Sequence, residues 1–222
     1  MKTDAELQQD VMNELKWEPT IKAAEIGVGV TDGVVTLSGS VDSYAKKWAA
    51  ECAATRVFGV KAVAEELQVR LPSSFERSDG DIAQAAANAL QWNIWITHVT
   101  HRIKVAVENG WITLSGDVDW WYQKEAAGDM VRNLIGVRGL SNDIAIKPIT
   151  VKVDPQDVKD KIESAFKRNA ILDSRRITVE TRGGKVILRG SVHSFAEREQ
   201  VEREACAAPS VSEVENYIII NP

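Results

Sequence analysis

Three histidines are the residues of this chain best suited to bind a metal ion or to transfer a proton. His98 and His101 stand three residues apart, and His193 lies far along the chain. A zinc site needs three or four converging ligands. Because no cysteine or acid accompanies these histidines at metal-ligand spacing, we expect surface histidines and neither a metal nor another cofactor.

Two glycine-containing stretches resemble phosphate-binding loops only superficially: Gly27-Val-Gly-Val30 and Arg182-Gly-Gly-Lys185. Neither follows a strand and opens a helix, as a P-loop or a dinucleotide site does. The chain also lacks a Gly-x-Ser-x-Gly motif, and its acids recur in solvent-facing helical patterns such as Glu197-Arg-Glu199. We therefore predict that the chain is not an enzyme.

A glycine-bounded segment occurs three times and indicates how the chain is organised. The copies are Gly33-Val-Val-Thr-Leu-Ser-Gly39, Gly110-Trp-Ile-Thr-Leu-Ser-Gly116 and Gly184-Lys-Val-Ile-Leu-Arg-Gly190. Their closing glycines lie 77 and 74 residues apart. This period is too long for a solenoid unit and suits a small domain, so we predict three modules in series.

Hydrophobic periodicity predicts the same elements in each copy. Before each glycine segment, apolar residues recur at every fourth position, as in a helix. They then alternate with polar residues on both sides of an Asp-Gly, Asn-Gly or Gly-Gly turn, as in two strands of a hairpin. After the segment, a second helical pattern is followed by a second alternating pattern. These patterns indicate helix, strand, strand, helix, strand, an α+β two-layer sandwich with both helices on one face of a three-stranded mixed sheet. Gly33, Gly39, Gly110, Gly116, Gly184 and Gly190 are the predicted hairpin and turn positions. The predicted domains are 1–71, 79–147 and 155–222, with linkers over 72–78 and 148–155.

The repeated pattern G-x-V-x-T-L-x-G-x-V, followed by a helix and by G-V-x-x-V-x-N-x-L-x-V, resembles the BON domain. The matching residues include Gly33/Thr36/Leu37/Gly39/Val41, Gly110/Thr113/Leu114/Gly116/Val118 and Gly184/Leu188/Gly190/Val192. The third copy departs from the pattern at Ile187, where threonine is expected, and at Ser210, where glycine is expected. The resemblance implies a binding module linked to phospholipid surfaces, envelope integrity and stress.

Three arginines of the third copy are candidates for binding an anion. Arg176 is expected roughly opposite Arg189 in the hairpin, with Arg175 adjacent, and like charges that face each other across strands are unfavourable. A phosphate or lipid headgroup would offset the repulsion. Neighbouring glutamates, or plain solvation, would offset it as well.

Tryptophans mark where the copies differ, since five of the seven fall between residues 92 and 121. Trp121 matches Tyr44 and Phe195 in register and is predicted to be structural. Trp17 and Trp92 share one position after the first helix and are predicted to pack. Non-core positions are expected for Trp48, Trp95, Trp111 and Trp120. Packing between modules, contact with a protein partner, and contact with lipid or a small apolar ligand remain open for them.

The outer sheet face of the third copy is expected to carry Ile187, Tyr217 and Ile219, where the first copy has polar residues. We predict that another module or another chain covers this face.

Cys52 and Cys206 lie in apolar helical patterns and are expected to be buried free thiols.

Composition narrows the choice of partner and compartment. A net charge of −5 argues against nucleic acid as the main partner, and no apolar window is long enough to span a bilayer. The N-terminus lacks the apolar region of a secretory signal, so we expect a cytoplasmic location, peripheral at the inner membrane.

The leading functional prediction is a non-enzymatic protein that binds anionic phospholipid or a membrane-associated partner in a stress or envelope role. The alternative is a cytosolic scaffold or chaperone-like protein that binds proteins or a small ligand through exposed aromatics. A cryptic enzyme is a remote third class, and homo-oligomerisation stays open.

Overall fold

Each predicted copy folds as helix, strand, strand, helix, strand in a computed structural model that describes residues 2–148, 154–169 and 174–221. The first module comprises α1 (Asp4–Trp17), β1 (Ile26–Thr31), β2 (Val34–Val41), α2 (Tyr44–Arg56) and β3 (Ala62–Val69). The second comprises α3 (Asp79–Gln91), β4 (Ile103–Glu108), β5 (Trp111–Val118), α4 (Trp121–Arg132), β6 (Gly139–Asn142) and β7 (Ala145–Ile146). The third comprises α5 (Pro155–Arg168), β8 (Ile177–Arg182), β9 (Lys185–Val192), α6 (Phe195–Cys206) and β10 (Glu213–Ile220). The predicted α+β class is confirmed.

The middle strand of each module pairs with both other strands. β1, β4 and β8 run antiparallel to β2, β5 and β9 through the predicted hairpins. The last strand returns parallel to the middle one after the second helix, as β10 does along all of β9. In the second module this strand is divided into β6 and β7, which both pair parallel with β5.

The buried stripes of both helices face the same side of each sheet. In the second module, Ile82, Ala86 and Leu90 of α3 join Ile112 and Leu114 of β5 and Ala127 and Val131 of α4 in one core. In the third module, Val158, Ile162 and Phe166 of α5 join Val186 and Leu188 of β9 and Val201 and Ala205 of α6. The predicted step of four along the first helix of each module is therefore the buried stripe.

Each hairpin needs glycine at two positions. At the bend, Gly33, Gly110 and Gly184 have φ of +81°, +78° and +89°, and each follows a residue that also has positive φ. This pair of left-handed residues makes the turn whose twist matches the strands. At the closing glycine, a side chain is excluded: a Cβ on Gly116 would overlap the carbonyl oxygen of Arg102, and Gly39 and Gly190 meet Glu25 and Arg176 in the same way.

An aspartate at the first residue of the first helix ties that helix to the hairpin bend in two modules. Asp79 accepts hydrogen bonds from the amides of Asn109 and Gly110, both at 2.8 Å. Asp4 accepts from the amides of Asp32 and Gly33 in the first module, at 2.9 and 3.2 Å. The equivalent residue of the third module is Pro155, which has no carboxylate. There the Thr181 hydroxyl donates to the Pro155 carbonyl oxygen at 2.7 Å.

Two compact units make up the described chain. One is Ser40–Trp48 with Leu67–Lys147, and the other is Met1–Gly39, Ala49–Glu66 and Pro148–Pro222. The division between units crosses β2, α2 and β3, whereas the predicted domain boundaries lie at 72–78 and 148–155. Most of the second predicted linker falls outside the described residues.

Candidate functional site

The turn that follows α3 places apolar side chains in solvent. We name Trp92, Asn93, Ile94 and Trp95 the 92–95 turn. Trp92 is 87% exposed and Ile94 is 82% exposed. Ile96 and Val99, which follow directly, are buried in the core of the second module. The chain is therefore anchored just beyond its exposed residues, so their exposure does not come from a fraying end.

The predicted packing role of Trp17 and Trp92 is wrong. Trp17 is 84% exposed, nearly as much as Trp92. Each follows the last buried leucine of its helix, Leu15 or Leu90, by two residues. Two residues correspond to about 200° around a helix, so both rings leave on the side opposite the core.

A buried glutamine links the start of α4 to the segment after the 92–95 turn. The Gln123 Oε1 accepts from the backbone amides of Asp119 and Trp120, both at 3.0 Å, and its Nε2 lies 3.0 Å from Nε2 of His98. An aspartate just before a helix commonly caps its first exposed amides. The Asp119 carboxylate instead pairs with Arg102 at 2.7 Å, which leaves the capping of the amides to Gln123.

A groove of about 460 Å³ lies beside the 92–95 turn, and we name it the aromatic groove. One wall is a single face of α4, with side chains at the i, i+3, i+4, i+7 and i+8 positions, and the other wall comes from the turn. Its lining residues are Asn93, Trp95, Tyr122, Glu125, Ala126, Asp129 and Met130. Of these residues, the sequence analysis named only Trp95. The five that lie on α4 follow Trp121 at helical spacing, and this spacing could have indicated that they share one face.

Trp111 and Trp120 lie at non-core positions in the second module. Trp111 lies on the outer sheet face against Gly139, and its Nε1 donates to the Ser141 Oγ at 2.9 Å. Trp120 precedes α4, and its carbonyl oxygen accepts from the amide of Gln123. Both rings keep part of their surface exposed.

Trp48 packs against Arg132 within the unit that contains residues 40–48 and 67–147. The centre of the Arg132 guanidinium lies 3.9 Å from the centroid of the indole. Tyr44, one turn earlier in α2, packs against the core of the second module. Three roles were left open for Trp48: packing between modules, contact with a protein partner, and contact with lipid or a small ligand. The structure provides a partner for the first of these, which is Arg132.

The three candidate arginines have separate surroundings. The residue opposite Arg189 is Thr178, because Ser174–Arg176 form a 3₁₀ turn and β8 begins at Ile177. Arg176 was expected in that place, and its Nη1 instead lies 3.0 Å from Nε2 of His193. Arg189 lies 4.0 Å from the Glu180 carboxylate, and its guanidinium stands 4.9 Å from the ring centroid of Tyr217. Arg175 is exposed in the 3₁₀ turn.

Charges on the outer sheet face of the third module are largely paired. Lys185 contacts Glu215 and Glu213, and these hydrogen bonds raise the pKa of its ammonium group above the ordinary value. Ile187 in the middle of the face is buried at 8% exposure, while Tyr217 and Ile219 are exposed. One of the alternatives for Arg189 was that a neighbouring glutamate neutralises its charge, and Glu180 is placed to do so.

The remaining chemistry-bearing residues do not converge. Among the described residues, no group of three or more His, Cys, Asp or Glu side chains is placed to hold a metal ion. Both cysteines are free thiols; Cys206 is buried as predicted, but Cys52 is only half-buried. Within the described part of the chain, no helix is both long and apolar enough to cross a bilayer.

Comparison with known proteins places the whole fold in one family. The model of the BON domain matches residues 3–70, 78–148 and 154–222. Osmotically-inducible protein Y of Escherichia coli (strain K12) is 30% identical over 146 residues, which is 65% of this chain and 73% of that protein. Two solved structures of CdsD, a structural protein of the type III secretion system of Chlamydia trachomatis, are 16% identical with a TM-score of 0.27. The alignment with the first structure covers 98% of this chain and 93% of the CdsD chain. The alignment with the second structure, a C-terminal domain, covers 100% of both chains. With three family matches that account for nearly every residue, this chain belongs to the BON-domain family and carries the domain three times.

Proposed function

We propose that this chain is a non-enzymatic protein that attaches to a phospholipid surface through the 92–95 turn. The observation that carries the proposal is the exposure of Trp92 and Ile94 beside a segment held in the core by Ile96 and Val99. Indole rings favour the boundary between lipid headgroups and acyl chains, because they are apolar with one polar N–H group. Ile94 supplies an aliphatic group that can enter the acyl region.

The sequence of the turn and its flanks favours such insertion. No Asp, Glu, Lys or Arg lies between Asp81 and Arg102 in the sequence. The exposed residues can therefore leave water without carrying a charged group with them, which is the costly part of entering a membrane. Attachment through this turn depends on buried apolar area and changes little with salt.

Electrostatic attraction to anionic headgroups is assigned to Arg175, Arg176 and Arg189. The third module has 11 basic and 11 acidic residues over 155–222, which makes it less repelled by an anionic surface than the rest of a chain of net charge −5. In this scheme the arginines act after the apolar turn has brought the chain to the surface. We further propose a peripheral position at the inner membrane and a role in osmotic stress or envelope homeostasis. The name of the Escherichia coli relative, an osmotically-inducible protein, supports the osmotic part of this proposal.

Vesicle flotation at low and high salt tests the proposal. The full chain is compared with Trp92→Ser/Ile94→Ser, with Arg175→Ala/Arg176→Ala/Arg189→Ala, and with Trp17→Ser. Trp17 is the matched control because it has the same position and exposure in the first module. We expect the turn variant to lose flotation at both salt concentrations, and the arginine variant to lose it only on vesicles with phosphatidylglycerol at low salt.

The Trp17→Ser variant should float like the unmodified chain. If the unmodified chain floats with neither phosphatidylcholine nor phosphatidylglycerol vesicles at either salt concentration, the proposal is wrong. It is also wrong if the turn variant floats undiminished.

A further inference from the structure

The aromatic groove has the chemistry of a site for a small organic cation. Among the described residues that line it, two are acids and none is basic: the acids are Glu125 and Asp129. Asp129 is held in place by Arg132, whose Nη1 donates to Oδ1 at 2.8 Å. The α4 wall therefore carries two carboxylates, one of which is oriented by Arg132.

Aromatic rings complete the groove at right angles to each other. The ring centroids of Trp95 and Tyr122 are 6.2 Å apart, and the ring planes meet at 81°. In this arrangement one ring presents its face where the other presents its edge, so the pair forms two perpendicular walls. The face of an indole or phenol ring attracts a cation through its quadrupole. Both rings remain partly exposed and are accessible from solvent.

The backbone around Trp95 limits its movement. Asn93 accepts a hydrogen bond from the amide of Trp95 on Oδ1 at 2.8 Å, and its carbonyl oxygen accepts from the amide of Thr97 at 3.0 Å. Ile96, the next residue after Trp95, is fully buried. A backbone held on both sides in this way loses little conformational entropy when a ligand binds.

Only the second module combines these groups. The residues of α2 and α6 equivalent to Tyr122 are Ala45 and Ala196, and the segment that carries Trp95 has two residues more than its counterparts. A site built from Trp95 and Tyr122 is therefore a property of this module and not of the shared frame.

We propose that the aromatic groove binds a quaternary ammonium group, with the tetramethylammonium ion as its simplest form. Such an ion has no N–H groups that require acceptors, and its methyl groups suit contact with aromatic faces and with the thioether of Met130. A compact metal cation would need several oxygen ligands converging on one point, whereas the groove supplies two carboxylates on an otherwise mostly apolar surface. Free quaternary ammonium ions and choline headgroups of lipids share this chemistry.

Titration of the lipid-free full chain with choline tests the inference. Binding is followed by the NMR signals of the Trp95 indole N–H and of the backbone amides of residues 95, 96 and 126, and these amides remain observable in the Trp95→Ala variant. The matched control ligand is 3,3-dimethylbutan-1-ol, which has the shape of choline with a neutral carbon in place of nitrogen. We expect saturable shifts with choline and tetramethylammonium, and at most weak, unsaturated shifts with the alcohol. Trp95→Ala or Tyr122→Ala should weaken binding about tenfold or more, and Glu125→Gln should weaken it several-fold.

Trp17→Ala serves as the control variant and should bind choline normally, because Trp17 lies in another module. Equal saturation by choline and the neutral alcohol, or undiminished binding by Tyr122→Ala with an intact spectrum, overturns the inference. Since no membrane is present, failure here is separate from failure of the membrane proposal. Flotation then distinguishes the sources: a preference for phosphatidylcholine that free choline abolishes indicates the headgroup, and binding of choline without this preference indicates the free ion.

Discussion

Trp111 and Gly139 face each other across β5 and β6, and the indole occupies the space that a side chain at position 139 would need. The third module has Lys185 and Glu213 at the same place in its sheet, as an ion pair at 3.1 Å. One cross-strand position is thus filled in two ways, by a large ring over a glycine or by two opposite charges. Both satisfy the requirement that directly opposed side chains complement each other.

Gly139→Ala is expected to destabilise the second module by about 1–3 kcal/mol. The added methyl group would displace the Trp111 ring and break its hydrogen bond to Ser141. Chemical unfolding with hydrogen exchange at second-module amides measures the cost. In a Trp111→Val background the cost should shrink, because the space is then free. An equal cost in both backgrounds would show that the ring does not cause it.

Asp79→Ala is expected to lower the stability of the second module by about 1–2 kcal/mol, because two amides of the hairpin bend lose a charged acceptor. Asp79→Asn should cost less, since the amide side chain keeps one acceptor oxygen. Thermal unfolding with amide exchange at Asn109 and Gly110 provides the measurement. Exchange at these two amides that is no faster in the alanine variant would contradict the assigned role.

Pro155→Asp is expected to stabilise the third module by about 0.5–1 kcal/mol. The substitution puts a carboxylate where Asp4 and Asp79 hold the bends of the other two modules. The Thr181 hydroxyl can still donate to the backbone carbonyl of residue 155. Slower exchange at the amides of Gly183 and Gly184 should accompany the gain, and Pro155→Ala, which adds no acceptor, should not slow it.

Gln123→Ala is expected to cost about 2–4 kcal/mol, because the amides of Asp119 and Trp120 would lose their acceptor in a buried setting. The same change releases His98 from its contact with Gln123. Near-ultraviolet circular dichroism and chemical unfolding should report the two effects. Gln123→Glu keeps the acceptor, as Glu197 does at the equivalent position for the amide of His193, and should retain most of the stability.

Trp48 and Arg132 are expected to be energetically coupled by about 0.5–2 kcal/mol. A double-mutant cycle with Trp48→Ala and Arg132→Ala measures the coupling, with stability read from chemical unfolding. Asp129→Asn is a useful third variant, since it removes the carboxylate partner of Arg132 without changing the indole. Costs that simply add would show that the stacking contributes nothing.

The frame of the modules was predictable because its determinants are local. The paired residues at each hairpin bend, the step of four in α1, α3 and α5, and the alternation in the strands each act over a few residues. The positive φ at Gly110 and the lack of space for a side chain at Gly116 both require glycine, so each requirement can be seen in the sequence as a glycine. The α+β class and the three-fold repeat follow from these features.

Side-chain surroundings were less predictable because they depend on pairs that are distant in sequence. Trp92 was assigned to packing from its equivalence with Trp17, although its angular position relative to Leu90 already favoured solvent. The partners of Arg189 could not be found until the register of β8 against β9 was known. Shared register predicts where a residue lies in a module, but it does not predict what that residue contacts.

The two additional residues of the second module enter between α3 and β4, at a place bounded by buried residues on both sides. Leu90 ends the helix stripe, and Ile96 re-enters the core six residues later. The added length leaves the hairpin register unchanged, because Ile103 pairs with Gly116 as Ile26 pairs with Gly39 and Ile177 with Gly190. This connection is accordingly a natural graft point: a transplanted 92–98 segment should carry its rings onto another module, and libraries of new binding surfaces could be displayed there on an unchanged scaffold.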